Sequence, residues 1–139
     1  MQSLTDLRKT HLFFIADDDQ DDQELFINAL QQIDESYTSI TAFDGEEALQ
    51  KLFDKTMVLP QIIFLDLNMP KINGKQCLIK IKESKNLQHI PVVIYSTTAD
   101  KKEIEETNKL GASFFLQKPN RFSELCSALE KIINHNWGS

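Results

Sequence analysis

In the stretch "FLDLNMP" (Phe64 to Pro70) an apolar run stops on an acid, Asp66, just before Met-Pro. Taken alone, such an aspartate is a turn residue, because its side chain bonds the backbone of tight turns. Three other run ends argue for more. "FFIADDD" stops on Asp17, Asp18 and Asp19, "IPVVIYST" on Ser96 and Thr97, and "SFFLQKP" on Lys118 and Pro119. Carboxylates, a hydroxyl and an ammonium together suit phosphoryl chemistry. Two carboxylates about 4 Å apart repel by about 1 kcal/mol in water and by about 4 kcal/mol at an effective dielectric near 20. A cation between them makes the cluster tolerable. Hard oxygen donors suit Mg²⁺, which keeps several waters and prefers one or two carboxylates plus a phosphate oxygen. Asp66 is a competent nucleophile, since aspartate forms phospho-enzymes. Mg²⁺, Lys118 and the Ser96 hydroxyl would share the charge of the equatorial phosphoryl oxygens.

Whether these groups meet depends on the elements that carry them. The chain alternates between strand and helix periods. Strands are expected at 11–16, 38–43, 61–66, 90–96 and 113–117. Between them lie helical stripes: Leu25, Phe26, Ala29, Leu30, Ile33; then Ala48, Leu49, Leu52, Phe53; then Cys77, Leu78, Ile81. "DKKEIEETNKL" is a polar helix with few apolar anchors, for which Gly111 suits the C-cap. Phe122, Leu125, Cys126, Leu129, Ile132 and Ile133 form the strongest stripe. Asp44 followed by Glu47 resembles a capping box. The expected fold is α/β, a (βα)5 doubly wound, five-stranded parallel sheet of flavodoxin-like order 2-1-3-4-5. Strands one, three and four are nearly continuous apolar runs, as helices on both faces require. In such a sheet function gathers at the carboxyl ends of the strands. Asp17, Asp18, Asp66, Ser96 and Lys118 all stand there.

The 139 residues suit one domain, with a core at about 10–134 and short flexible tails. A net charge of -6 argues against direct nucleic-acid binding. No apolar run approaches the ~20 residues that span a bilayer, and the N-terminus lacks the pattern of a signal peptide. A cytoplasmic location follows as the expectation. Cys77 and Cys126 are read as buried free thiols, too few and too far apart for a disulfide framework or a zinc site.

Together these motifs identify the chain as similar to the receiver domains of two-component response regulators, in particular the single-domain chemotaxis type. "FFIADDD" resembles the first strand with its acidic pair. "FLDLNMPKINGK" resembles the phospho-acceptor loop, with Asp66, Met69, Pro70 and Gly74 in register. "IPVVIYST" resembles the fourth strand with its switch hydroxyl, and "GASFFLQKP" the fifth with its switch aromatic and Lys-Pro. The resemblance implies that Asp66 accepts a phosphoryl group from a sensor histidine kinase or phosphotransfer protein. It implies Mg²⁺, with Mn²⁺ as a substitute, held by Asp17, Asp18, Asp66 and the backbone carbonyl of Asn68. Asp18 would bind more directly and Asp17 through water. Ser96 and Lys118 would bind phosphoryl oxygens, and Phe115 would be the aromatic that turns inward. Most family members have Tyr there, so an output surface that reads a phenol is put in doubt. The face made by the fourth helix, fifth strand and fifth helix would then act on a separate, unnamed protein. The resemblance further implies a regulatory phospho-acceptor rather than an enzyme, monomeric or dimerising on phosphorylation, and a cis bond at Pro119.

Blander readings and rivals stand beside this. Asp21 and Asp22 are expected to be solvated, since like-charge runs face water. Asp19 is read as a helix cap or outer-shell group. Thr97 is read as structural, Phe13 and Phe14 as core. His11, His89 and His135 receive no role. An aspartyl-phosphate phosphatase or phosphotransferase would want a second acid two residues after the nucleophile; Asn68 stands there. A flavin or nucleotide binder would want a glycine-rich phosphate loop, and the glycines at 45, 74, 111 and 138 are isolated. A pseudo-receiver that only binds partners would usually have lost the acceptor, the acid pair or the lysine, and none is lost.

Overall fold

Aliphatic and aromatic residues fill the short runs that pair. They form β1 (Leu12–Ala16), β2 (Thr38–Ala42), β3 (Ile62–Leu65), β4 (Val92–Ser96) and β5 (Phe114–Gln117). Each strand leads into a helix: α1 (Gln20–Ile33), α2 (Gly45–Leu52), α3 (Gly74–Glu83), α4 (Lys101–Lys109) and α5 (Phe122–Asn134). The computed structural model describes residues 11–135. The expected tails fall outside these residues, apart from Asn134 at the end of α5 and its C-cap His135. All pairings are parallel and the order is β2-β1-β3-β4-β5, as expected.

Local chemistry starts and stops the helices. Asp19, Asp44 and Asp100 each accept a first-turn N–H, and Asn73 forms a reciprocal capping box with Gln76. Caps of this kind contribute about 1 kcal/mol each. The Asp44 box is displaced by one residue: Glu47 Oε1 accepts from the N–H of Phe43, at 2.6 Å, rather than from Asp44. Gly111, just past the C-cap of α4, has φ +107°, a left-handed value that glycine takes freely.

The sheet separates two apolar cores. On one side Phe14, Ile63, Leu65 and Ile94 pack with α2 and α3. On the other Phe13, Ile15, Phe64 and Tyr95 pack with α1 and α5. Edge strands β2 and β5 are only partly covered, whereas β3 and β4 are buried throughout.

Several expectations need correction. The strands are one or two residues shorter than their apolar runs. Leu25, Phe53 and Phe122 are 46%, 48% and 41% exposed instead of lining the core. Leu25 lies about 100° round the helix from Phe26, Phe53 is the C-cap of α2, and Phe122 is the first residue of α5. Cys77 is buried as expected, but Cys126 is only half-buried. No described peptide bond is cis, so Pro119 is trans; trans is the lower-energy isomer by about 0.5–1 kcal/mol even before proline.

Helix α4 is the least anchored element. Among its residues only Thr107 is buried. Lys75 of α3 ties it down, with Nζ 2.8 Å from Glu103 and 2.5 Å from Glu106. The hydrogen bonds that Lys75 donates to Glu103 and then to Glu106 hold its ammonium above the usual lysine range. Partly exposed ion pairs contribute up to about 1 kcal/mol. Lys75→Met is therefore expected to speed amide exchange in α4 about threefold over α3. Unchanged exchange would mean that the packing of Thr107 and Leu110 alone holds the helix.

Candidate functional site

The parallel register brings the strand ends together. Asp17 follows β1 and its N–H bonds the Ala42 carbonyl; Asp66 follows β3 and its N–H bonds the Ala16 carbonyl. Ser96 ends β4, and Lys118, just past β5, donates its N–H to the Ser96 carbonyl at 2.7 Å. The turn-residue reading of Asp66 accounts for one of its contacts, since Oδ1 accepts the Asn68 N–H at 3.2 Å. Its other oxygen lies 3.3 Å from Lys118 Nζ, and the residue is buried.

One oxygen from each of Asp17, Asp18 and Asp66 lies within 4.8 Å of the others. Asp17 and Asp66 are buried while Asp18 faces solvent. Asp17 Oδ1 accepts the Asp19 N–H at 3.0 Å. Asp17 Oδ2 is 2.7 Å from Lys118 Nζ, a buried ion pair. Two buried acids and an open acid, all offering hard oxygen donors, make a set that fits a hard divalent cation. Burial, opposed by the nearby Lys118, pushes the Asp17 carboxyl up to about 6. Lys118 is raised too, by attraction rather than by burial. Burial works against its charge, but Asp17 and Asp22 at close range, with the charge of Asp66, outweigh it and hold the ammonium above the usual lysine range.

Ser96 is fully buried, with Oγ accepting the Thr98 N–H at 3.3 Å. Phe115 pairs with Ile94, two residues before Ser96, so Phe115 and Ser96 share one face of the sheet. Phe115 is half-buried against the α2–α3 core. Asn68 is exposed beside the cluster, and Asp19 caps α1 as expected. The Lys71 backbone, five residues past Asp66, has φ +68°, and the Ile72 N–H bonds the Pro70 carbonyl at 2.8 Å. This is the tight three-residue turn that is rare and strained for a side-chain-bearing residue.

Two site residues escaped sequence reasoning. Asp22, read as solvated, places Oδ2 2.8 Å from Lys118 Nζ. Gln23 is buried, and its amide donates to the carbonyls of Asp17 and Ala42 at 2.8 and 2.7 Å, clamping the β1–α1 loop. The signal was present: extending the Phe26, Ala29, Leu30, Ile33 stripe back by one turn lands on both. Tyr95 adds a ring 5.2 Å from Lys118 Nζ.

Comparison with known proteins gives a consistent pattern. The family model of the response regulator receiver domain matches residues 13–130. The probable methanogenesis regulatory protein FilR2 of Methanothrix harundinacea (strain 6Ac) is 34% identical over 74 residues, 53% of this chain and 48% of that protein. The chain thus spans about half the length of that relative. The structure of the phosphorylated cyanobacterial phytochrome response regulator RcpA superposes with a TM-score of 0.80 at 30% identity, covering 87% of this chain and 89% of that one. The Mn²⁺-bound form of response regulator Rcp1 gives 0.78 at 26%, covering 87% and 90%.

Proposed function

The chain belongs to the response regulator receiver domain family, and from that premise we propose that it is a receiver that carries a phosphoryl group on Asp66. The observation that carries this reading is the Asp66 carboxylate, buried between the Lys118 ammonium and the oxygens of Asp17 and Asp18. One Asp66 oxygen attacks the phosphorus of a phosphohistidine on a sensor kinase or phosphotransfer protein. The new P–O bond forms as the P–N bond breaks, and the imidazole leaves. Lys118 pairs with one phosphoryl oxygen and the Ser96 hydroxyl donates to another, spreading the charge of the loose transition state. Asp17, Asp18, Asp66 and the Asn68 carbonyl would hold Mg²⁺, which when bound supplies charge neutralisation at the phosphoryl oxygens. The Mn²⁺ in Rcp1 and the phosphorylated state of RcpA support this assignment.

The output follows from charge and space. A phosphoryl group adds about two negative charges and three acceptor oxygens. Drawing Ser96 toward them leaves room on the face it shares with Phe115, which swings inward without a phenol to present. The α4–β5–α5 surface, with α4 thinly anchored, then acts on a downstream target. The chemistry is self-phosphorylation and self-dephosphorylation, not turnover of another substrate, in a cytoplasmic protein that is monomeric or dimerises on phosphorylation. Among the described residues no helix is long and apolar enough to cross a membrane.

Intact mass spectrometry after incubation with acetyl phosphate tests the proposal. One phosphate mass is expected with Mg²⁺, none without it, and none in Asp66→Asn. A gain that survives Asp66→Asn would place the acceptor elsewhere.

A further inference from the structure

Resting on that reading, we propose that Asp22 is a positioning residue that holds the Lys118 ammonium back from Asp66 and competes with the phosphoryl group for it. Lys118 Nζ lies 2.7 Å from Asp17 Oδ2, 2.8 Å from Asp22 Oδ2 and 3.3 Å from Asp66 Oδ2. The longest of the three contacts goes to the acceptor. An ammonium has three N–H bonds, and three carboxylates already surround this one. A phosphoryl oxygen can recruit Lys118 only if one of them lets go. Asp17 is buried and belongs to the metal-fitting set, and Asp66 is the acceptor itself. Asp22 is outside that set and its side chain is 29% exposed, so water can replace the ammonium there. Among the described residues Lys118 is the partner of the Asp22 carboxylate, whereas the Asp22 backbone N–H already serves the α1 cap at Asp19. The side chain is thus spare for Lys118, and it ties the first turn of α1 to the end of β5 across 96 residues of chain.

Asp22→Asn keeps the shape and removes the charge. Without it Lys118 moves to the phosphoryl position at lower cost. Beryllofluoride, a phosphoryl mimic, should then bind in the presence of Mg²⁺ about threefold more tightly, the scale of a partly exposed ion pair. The Lys118 Nζ signal in ¹H–¹⁵N spectra reports the anchor directly. It should exchange slowly in the unmodified protein, broaden in Asp22→Asn, and return in Asp22→Glu, which restores the charge. An acid in the first turn also favours the helix dipole, so a stability loss alone is not the readout. An unchanged Lys118 signal in Asp22→Asn, or beryllofluoride affinity that is equal or weaker, overturns the inference. If the unmodified protein takes neither beryllofluoride nor a phosphoryl group, the acceptor reading itself fails, and the Lys118 signal still decides whether Asp22 is its anchor.

Discussion

Lys118→Met is expected to lower the folding stability of the metal-free protein by about 3 kcal/mol at neutral pH, the scale of removing one partner from a buried charge cluster. The methionine fills the same volume, so lost packing contributes little. What remains is Asp17, Asp22 and Asp66 with no cation, two of them buried. The pH dependence separates charge from packing. Burial already holds the Asp17 carboxyl at about 6, against the Lys118 contact that pulls it down. Without Lys118 it rises further. A carboxyl whose folded value lies above its unfolded value of 3.8 binds its proton more readily in the folded state. Stability from this group therefore increases as pH falls from 7 through about 6 toward 4. The deficit of Lys118→Met should shrink between pH 7.5 and 5, measured by urea unfolding of both proteins. A deficit constant across that range would show that shape, not charge, sets it.

Gly45→Ala is expected to be as damaging, for a reason that has nothing to do with charge. A Cβ at residue 45 would lie 1.8 Å from the Ile72 carbonyl oxygen and 2.7 Å from the Ile72 Cβ. The obstacle is backbone, so no rotamer relieves it. Either α2 withdraws from the sheet or the loop after Asp66 moves. Forced shifts of this sort cost about 3 kcal/mol, which for a domain of this size lowers Tm by about 10 °C. Because Ile72 sits in the loop that joins Asp66 to α3, phosphoryl uptake should fall as well. A variant with unaltered Tm would mean that the α2 approach is looser than the contact implies.

Much of the site was legible because its residues end apolar runs. Once five such runs are read as parallel strands, topology alone carries Asp17, Asp66, Ser96 and Lys118 to one edge. Asp22 and Gln23 were hidden by a boundary. The helical stripe was read from Leu25, whereas α1 begins at Gln20 because Asp19 caps it. An acidic run that looks solvated therefore contains one residue that turns inward. The Lys75 contacts to Glu103 and Glu106 were illegible for a different reason: charged residues about 30 positions apart carry no periodic signal, and only the packing of α3 beside α4 makes them neighbours. The trans state of Pro119 depends on an energy difference near 1 kcal/mol, too small for a dipeptide to reveal. The exposure of Leu25, Phe53 and Phe122 reflects helix ends and rotation, where apolar residues occur without burial.

The two cores on opposite faces of the sheet carry a consequence for how the protein tolerates change. Side chains around Leu78 and Ile81 never meet those around Phe26 and Leu129, because a layer of strands stands between them. Elements stacked on a sheet lie about 10 Å from it, and substitutions that far apart with no shared partner add within about 0.5 kcal/mol. Mutational effects on the two faces should therefore be additive, and each face can drift in sequence without correction from the other. Lys118 breaks that independence. It stands over Tyr95 of one core while its main chain holds Ser96, whose side chain belongs to the opposite face. Epistasis between the two halves of this fold should converge on that one residue.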